Sequence, residues 1–460
     1  MKRTLDFFVW LLMIGVGLAG CGKIKDVNEQ IVLESTETSE SATHLGNVGT
    51  STYSEALEKK ELILAGNDFD ESIISAVTTF NQFDDNITIT LRDYGDQSGV
   101  LSENVLNRLH KDVMDGNIPD MYIMQSSSSW PMEALVARDV FEDLYPILDH
   151  DPSISRNDFF STILETVQQD GKLYYFPISF ILKGIWGNPE YRGERGFPVN
   201  RISELCQEHP EDEMLFGDLS PMELISMELS QNRDLYVNWG KKECNFTSER
   251  FLEVLNAAAH LPKYRPLGRD DMMNYATGTY LLEGRQLFAP YMVSGFESYL
   301  IMSEGQKGVS DVVFNPYCSN MVSMTLTDSE VAAEIQKSFA ISKECSDIDA
   351  AWKFLRTFLQ VEYQQLISTS MDQGLPINVH AFAAETDRLQ IEGKGTEISF
   401  DGILELIASV KVINLFDPQI FLMINEETLG YFSGEITTEE VARRIQNRVS
   451  VYLEEYYRTP

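Results

Sequence analysis

Basic side chains are scarce in this sequence: 36 Lys and Arg stand against 71 Asp and Glu among 460 residues, a formal net charge of −35. So acidic a chain lacks the basic footprint that nucleic-acid phosphates require, and its surface is self-repelling and soluble. Histidine is scarcer still. His44, His110, His150, His209, His260 and His380 are scattered, with no pair at the helical spacing that sets two imidazoles on one metal. No Gly-rich loop ends in Gly-Lys-Ser or Gly-Lys-Thr, which argues against a nucleotide hydrolase, and no Gly-x-Ser-x-Gly elbow offers a nucleophilic serine. Asp149, Asp151 and Ser153 begin like a calcium loop, but Ile154 and Phe160 stand where its Gly and terminal Glu belong, so an acidic turn is expected. No metal, cofactor or catalytic residue is therefore assigned. Carboxylate pairs for glycoside hydrolysis are defined by a separation in space of about 5 to 9.5 Å, so 71 acids neither support nor exclude them.

The apolar run Phe7 to Ala19 is shorter than the roughly 20 residues that cross a hydrocarbon core. It follows Lys2 and Arg3 and ends in Leu18-Ala19-Gly20-Cys21, the pattern of a signal peptide with a lipobox. Residues 1–21 are thus expected to direct export, with the Cys21 thiol taking a diacylglyceryl group that anchors the chain outside the cytoplasm on a bacterial membrane. Gly15-Val16-Gly17-Leu18-Ala19-Gly20 matches the dinucleotide fingerprint by letter only, because it lies inside this leader rather than between a strand and a helix. Residues 22–59 are rich in Ser, Thr and Glu, as in Glu34-Ser35-Thr36-Glu37-Thr38-Ser39-Glu40, and predict a disordered tether. Cys206, Cys244, Cys318 and Cys345 allow three disulfide pairings or free thiols, and spacing does not choose.

Beyond the tether, Glu61 to Ala65 and Ile87 to Leu91 read as strands, and Pro119 to Met124 starts a third. Between them Ile73, Ile74, Val77 and Phe80, then Val100, Val105, Leu106, Leu109 and Val113, recur at helical spacing, with Asn67-Asp68 as the expected cap of the first helix. Strand, helix, strand, helix, strand is the pattern of a parallel sheet covered by helices. Lys172 to Pro177 reads as a short strand, Phe251 to Ala259 as a helix, and Asp349 as the cap of a helix carrying Trp352, Leu355, Leu359, Tyr363 and Leu366. Thr437 and Glu440 open a final helix that buries Val441, Ile445 and Val449. Ligands of such sheets bind outside the carboxyl ends of the strands, which directs attention to Asn67, Asp68, Ser128 and Trp130.

From Glu61 onward the chain resembles the family 1 extracellular solute-binding proteins of bacterial ABC importers, the group that contains maltose-binding protein. Four segments in the family's order carry the resemblance. They are Asp115-Gly116-Asn117-Ile118-Pro119-Asp120, Val140-Phe141-Glu142-Asp143-Leu144, Asp170-Gly171-Lys172-Leu173-Tyr174-Tyr175-Phe176-Pro177, and Ala350 to Leu355 followed by Glu362-Tyr363-Gln364 and Gly374 to Asn378. Trp186-Gly187-Asn188-Pro189 departs from the family's Tyr-Asn-Lys. The resemblance implies a two-lobe α/β fold of the periplasmic-binding-protein type, hinged, with the ligand cleft between lobes. Lobe one would be 60–178 plus 326–378, and lobe two 179–325 plus 379–460. It further implies a monomer that captures a small solute and hands it to the permease subunits of an importer, not an enzyme.

A carbohydrate is the expected solute, because hydroxyls bond to Asn and Asp while sugar C–H faces stack on aromatics. Trp186, between Gly184 and Gly187, is the expected platform of lobe two, with Tyr291, Phe296 and Tyr317 on segments like the family's later ligand loops; Trp130 is expected to be part-exposed, Trp239 and Trp352 structural. A peptide, polyamine or organic-anion receptor and an anchored glycoside hydrolase are the alternatives.

Overall fold

A computed structural model describes residues 59–67, 69–95, 103–125, 130–187, 199–209, 219–261, 288–305, 331–369, 373–392 and 400–456. Ten strands run through them: β1 Lys60–Gly66, β2 Ile87–Asp93, β3 Met121–Gln125, β4 Phe176–Gly187, β5 Val237–Asn238, β6 Glu243–Cys244, β7 Phe288–Val293, β8 Val331–Ile341, β9 Leu375–Pro376 and β10 Val410–Ile413. β5 and β6 form a small ribbon; the other eight share one sheet in the order β2-β1-β3-β8-β4-β7, with β10 on β8 and β9 on β4. β1 is parallel to β2 and to β3, as strands joined by crossover helices must be. β8 then runs antiparallel to both β3 and β4, returning a segment from much later in the chain into the middle of the sheet. The sheet is therefore mixed rather than purely parallel.

The helix after β1 is Glu71–Phe83, and its cap is Asp70, not Asn67-Asp68; Asp70 accepts the Ile73 amide. Its Ile73, Val77 and Phe80 are buried, whereas Ile74 faces out. Lys172 only bridges Gln169, and the strand expected there begins at Phe176 and runs for 12 residues. Helix Glu249–His260, capped by Ser248, encloses the expected Phe251 to Ala259. The final helix, Thr438–Tyr456, buries Val441, Ile445 and Val449 as its spacing predicts, and the Glu440 amide donates to Thr437 at 3.3 Å.

One long helix from Asp349 does not form. The cap is Asp347, and helix Ile348–Leu355 gives way to a 3₁₀ turn, Arg356–Leu359, before a second helix, Val361–Ser368. The break is paid for in hydrogen bonds that periodicity does not reveal. Gln364, fully buried, donates to Phe358 O at 2.7 Å and to Ile178 O at 3.0 Å, and Asn378 donates to Leu359 O at 3.1 Å. Carbonyls freed at a helix end must find such partners. Trp352 is buried against Phe339, its indole N–H on Asp151 at 2.8 Å. Asp149 is taken up by Arg156, and Asp151 by Ser153 and Arg356, as in an acidic turn.

Candidate functional site

The carboxyl ends of β1 and β3 lie side by side, and Gly66 lets them. A Cβ there would sit 2.5 Å from the Phe69 ring and 3.0 Å from Ile123 O, so only glycine ends β1 this close to β3. Asn67 follows at once, and its side-chain oxygen accepts the Trp130 indole N–H at 2.6 Å. Trp130 stands edge-on to Tyr122 of β3, ring centroids 6.1 Å apart, and is 3% exposed. The expected part-exposed stacking face is thus not available: the indole turns back onto its own strand, where its N–H finds an acceptor, as buried Trp usually does. Trp130 fastens one binding loop to the other.

Next to this pair lies an ion pair, its lysine buried and its carboxylate part-exposed, that periodicity does not reveal. Lys337 of β8 donates to Asp70 at 2.7 Å and to Gln373 at 3.1 Å. Asp70 also accepts Ser72 Oγ at 2.5 Å and the Ile73 amide at 3.0 Å, and Ser72 Oγ is 3.2 Å from Tyr363 OH. Burial pushes the Asp70 carboxyl up, but the charge and hydrogen bond of Lys337, with those of Ser72 and Ile73, hold it below the usual carboxylate range. Burial raises the Tyr363 hydroxyl, and Lys337 opposes that rise through its charge and a hydrogen bond. The ammonium therefore donates to Asp70 and Gln373, with the Tyr363 hydroxyl close enough to feel its charge. Gly374, at φ +86° and close under Phe180 O, permits the turn that delivers Gln373.

Ser179 of β4 pairs in register with Lys337. It is 1% exposed, and its hydroxyl has no partner among the described residues. A buried hydroxyl left so is a ready donor and acceptor for a water or a ligand. One sign of this site was present in the sequence of β8: Lys337 falls between Ile335 and Phe339 on the alternation that buries both, and a lysine on an apolar face needs a buried partner.

The remaining expected residues divide. Trp186 lies on β4 opposite Ala289, and Tyr291 lies on β7 opposite Gly184, so the two positions are diagonal neighbours across one strand pair. Phe296 faces the core. It is 2% exposed and packs on Phe382 at 4.7 Å and Phe400 at 6.1 Å, because helix Phe296–Gly305 starts by turning it into the core. Asp68, Ser128 and Tyr317 lie outside the described residues, as do Cys21, the tether up to residue 58 and Cys318. Cys206, Cys244 and Cys345 are free thiols. Among the described residues no helix is long and apolar enough to cross a membrane.

Solved structures of similar fold cover most of the chain. The sugar-binding protein MalE from the phytopathogen Xanthomonas citri matches 86% of this chain and 98% of its own, with a TM-score of 0.54 at 12% identity. The ABC substrate-binding protein Lmo0181 from Listeria monocytogenes, in complex with cycloalternan, matches 86% and 100%, with a TM-score of 0.52 at 12% identity. A de novo designed cysteine esterase matches 86% and 98%, with a TM-score of 0.52 at 15% identity. No protein-family model matches the sequence, and no curated protein does. At these identities the likeness is one of fold: a mixed α/β, periplasmic-binding-protein-like architecture.

Proposed function

We propose that this chain is an extracellular solute-binding lipoprotein of an ABC importer, which captures a carbohydrate and delivers it to a permease. The observation that carries the reading is the edge at the ends of β1 and β3, rich in hydrogen-bonding groups, where the one lysine described, Lys337, is neutralised by Asp70. A polyhydroxyl ligand needs donors and acceptors, whereas an organic anion needs a free cation, and the Lys337 ammonium is already bonded to Asp70 and Gln373. The fold shared with a sugar-binding protein supports the same conclusion.

On this reading Asn67, Asp68, Ser128 and Ser179 bond to hydroxyls of the ligand, while Trp186 and Tyr291 supply aromatic faces. Trp130 acts on the ligand only through Asn67. Residues 60–178 plus 326–378 form one lobe and 179–325 plus 379–460 the other, and a ligand that contacts both favours their closure. Cys21 carries the lipid, residues 22–59 hold the body off the membrane, and the importer reads the closed state.

A thermal-shift screen of carbohydrates, peptides and polyamines tests the reading, since a ligand of the native state alone raises stability by RT ln(1 + [L]/Kd). A carbohydrate is expected to raise the melting temperature. A response confined to peptides or polyamines would replace it. Labelling with a radioactive fatty acid tests the anchor separately: the label is expected on the wild type and not on Cys21→Ala.

A further inference from the structure

One row of residues crosses four strands level with the carboxyl end of β3. Gln125, the last residue of β3, pairs with Lys337 of β8, Lys337 with Ser179 of β4, and Ser179 with Pro376 of β9. Two irregularities make the row possible. Pro177 pairs with Ser338 and Phe180 with Ile335, so Ile178 and Gln336 both drop out of the β4–β8 pairing, and Ser179 comes to stand opposite Lys337. An unbroken ladder would have set Ser179 against Gln336. Compensating bulges of this kind re-aim side chains and leave the register beyond them intact. The row carries the binding edge past β1 and β3 as far as the turn before β9, where Gln373 lies.

Gln373 is held from two sides. Its side-chain oxygen accepts Lys337 Nζ at 3.1 Å, and the amide of the next residue, Gly374, donates at 3.1 Å to the carbonyl of Ser294, which directly follows β7. The orientation of the Gln373 amide follows from chemistry. An ammonium has donors only, so the oxygen faces Lys337 and the NH₂ points away. That NH₂ has no partner among the described residues, and the residue is part-exposed. Asn67 is arranged alike: the Trp130 indole, also a donor only, takes its oxygen at 2.6 Å and leaves its NH₂ without a partner among the described residues. Both oxygens of Asp70 are meanwhile bonded within the cluster, to Ser72, Ile73 and Lys337.

We propose that Gln373 is a further ligand contact, and that its NH₂, with that of Asn67, donates to acceptor oxygens of a neutral sugar. The inference rests on the carbohydrate reading and adds to it a residue and a polarity. A sugar oxygen accepts from these amides, whereas the ammonium of a polyamine would set donor against donor and leave both unpaired. Held by Lys337 and by the turn at Gly374, the amide loses little freedom when it binds.

The full chain, Gln373→Glu and Gln373→Met are screened by thermal shift against glucose, galactose, mannose and N-acetylglucosamine, their di- and trisaccharides, and spermidine. Gln373→Glu keeps an oxygen for Lys337 and loses only the donor, while Gln373→Met loses both. Calorimetric titration with the sugar that most stabilises the wild type is expected to show affinity reduced about tenfold in each variant. Without sugar, melting should be unchanged in Gln373→Glu and lowered in Gln373→Met. The side-chain amide protons of Gln373, identified by the loss of their signal in Gln373→Glu, should exchange severalfold more slowly in the wild type once that sugar is bound. Undiminished affinity in Gln373→Glu, with a loss only in Gln373→Met, would make Gln373 a support for Lys337 and overturn this inference alone. A shift with spermidine only, or with none of the sugars, would overturn the carbohydrate reading and this inference with it.

Discussion

Two buried charge clusters lie near the ends of the central strands, and they respond to burial in opposite senses. At Lys337 one ammonium meets one carboxylate, and Asp70 stays ionised below the usual range despite its burial. Glu133, which accepts Arg233 at 3.2 Å, and Asp417, which caps helix Pro418–Phe432 with one oxygen and has no partner among the described residues for the other, are both held up at about 7 by burial. The difference lies in depth and pairing together: desolvation heads the causes at all three carboxyls, but the Asp70 side chain keeps 29% of its surface against 10% for Glu133 and 2% for Asp417, so that Lys337 and the hydrogen bonds of Ser72 and Ile73 outweigh it only at Asp70. The first cluster is a fixed support for the binding edge, and the second holds carboxyls able to exchange protons near neutral pH.

Four substitutions sharpen this comparison, the largest effect first. Trp130→Ala should cost about 3 to 5 kcal/mol of stability in chemical denaturation, the usual range for a buried large aromatic. A stacking platform would instead leave the unliganded protein almost unchanged. Lys337→Met should cost about 3 kcal/mol by stranding Asp70, and adding Asp70→Asn should restore much of it; equal losses in single and double variants would mean that the pair is not coupled. The single variant Asp70→Asn should blunt acid unfolding. Its carboxyl is depressed in the folded state, so its contribution is present above the unfolded value and is lost as pH falls below about 4. Ser179→Ala should change stability by no more than about 0.5 kcal/mol, since the hydroxyl has nothing to lose, yet should weaken ligand binding. A large loss of stability there would point to a structural water.

The parallel start of the sheet could be read from periodicity because β1, β2 and β3 are short, apolar and separated by amphipathic helices, each signal being local. What periodicity missed was set by distant partners. The stripe from Trp352 to Leu366 looks like one helix, but Gln364 and Asn378 satisfy the carbonyls of a break in it. Asn67-Asp68 had the composition of a cap, yet the chain starts its helix three residues later, where Asp70 serves both Ile73 and Lys337. Trp130 and Phe296 were chosen as large aromatics on expected binding segments. Nothing local says whether such a ring faces solvent or its own core, and here Tyr122 and Phe382 decide it. Lys337 is 267 residues from Asp70, so their pairing is invisible until the sheet order brings β8 beside β3.

The central claim is that a carbohydrate binds at the edge formed by β1 and β3, and Asn67→Asp probes it with least disturbance. This change keeps an oxygen for the Trp130 indole while replacing the amide NH₂ that a sugar hydroxyl would accept from. In calorimetric titrations with a carbohydrate that stabilises the wild type, affinity should fall on the order of tenfold, about 1.4 kcal/mol, with little change in the melting temperature of the unliganded protein. Unchanged carbohydrate affinity in Asn67→Asp would contradict the account.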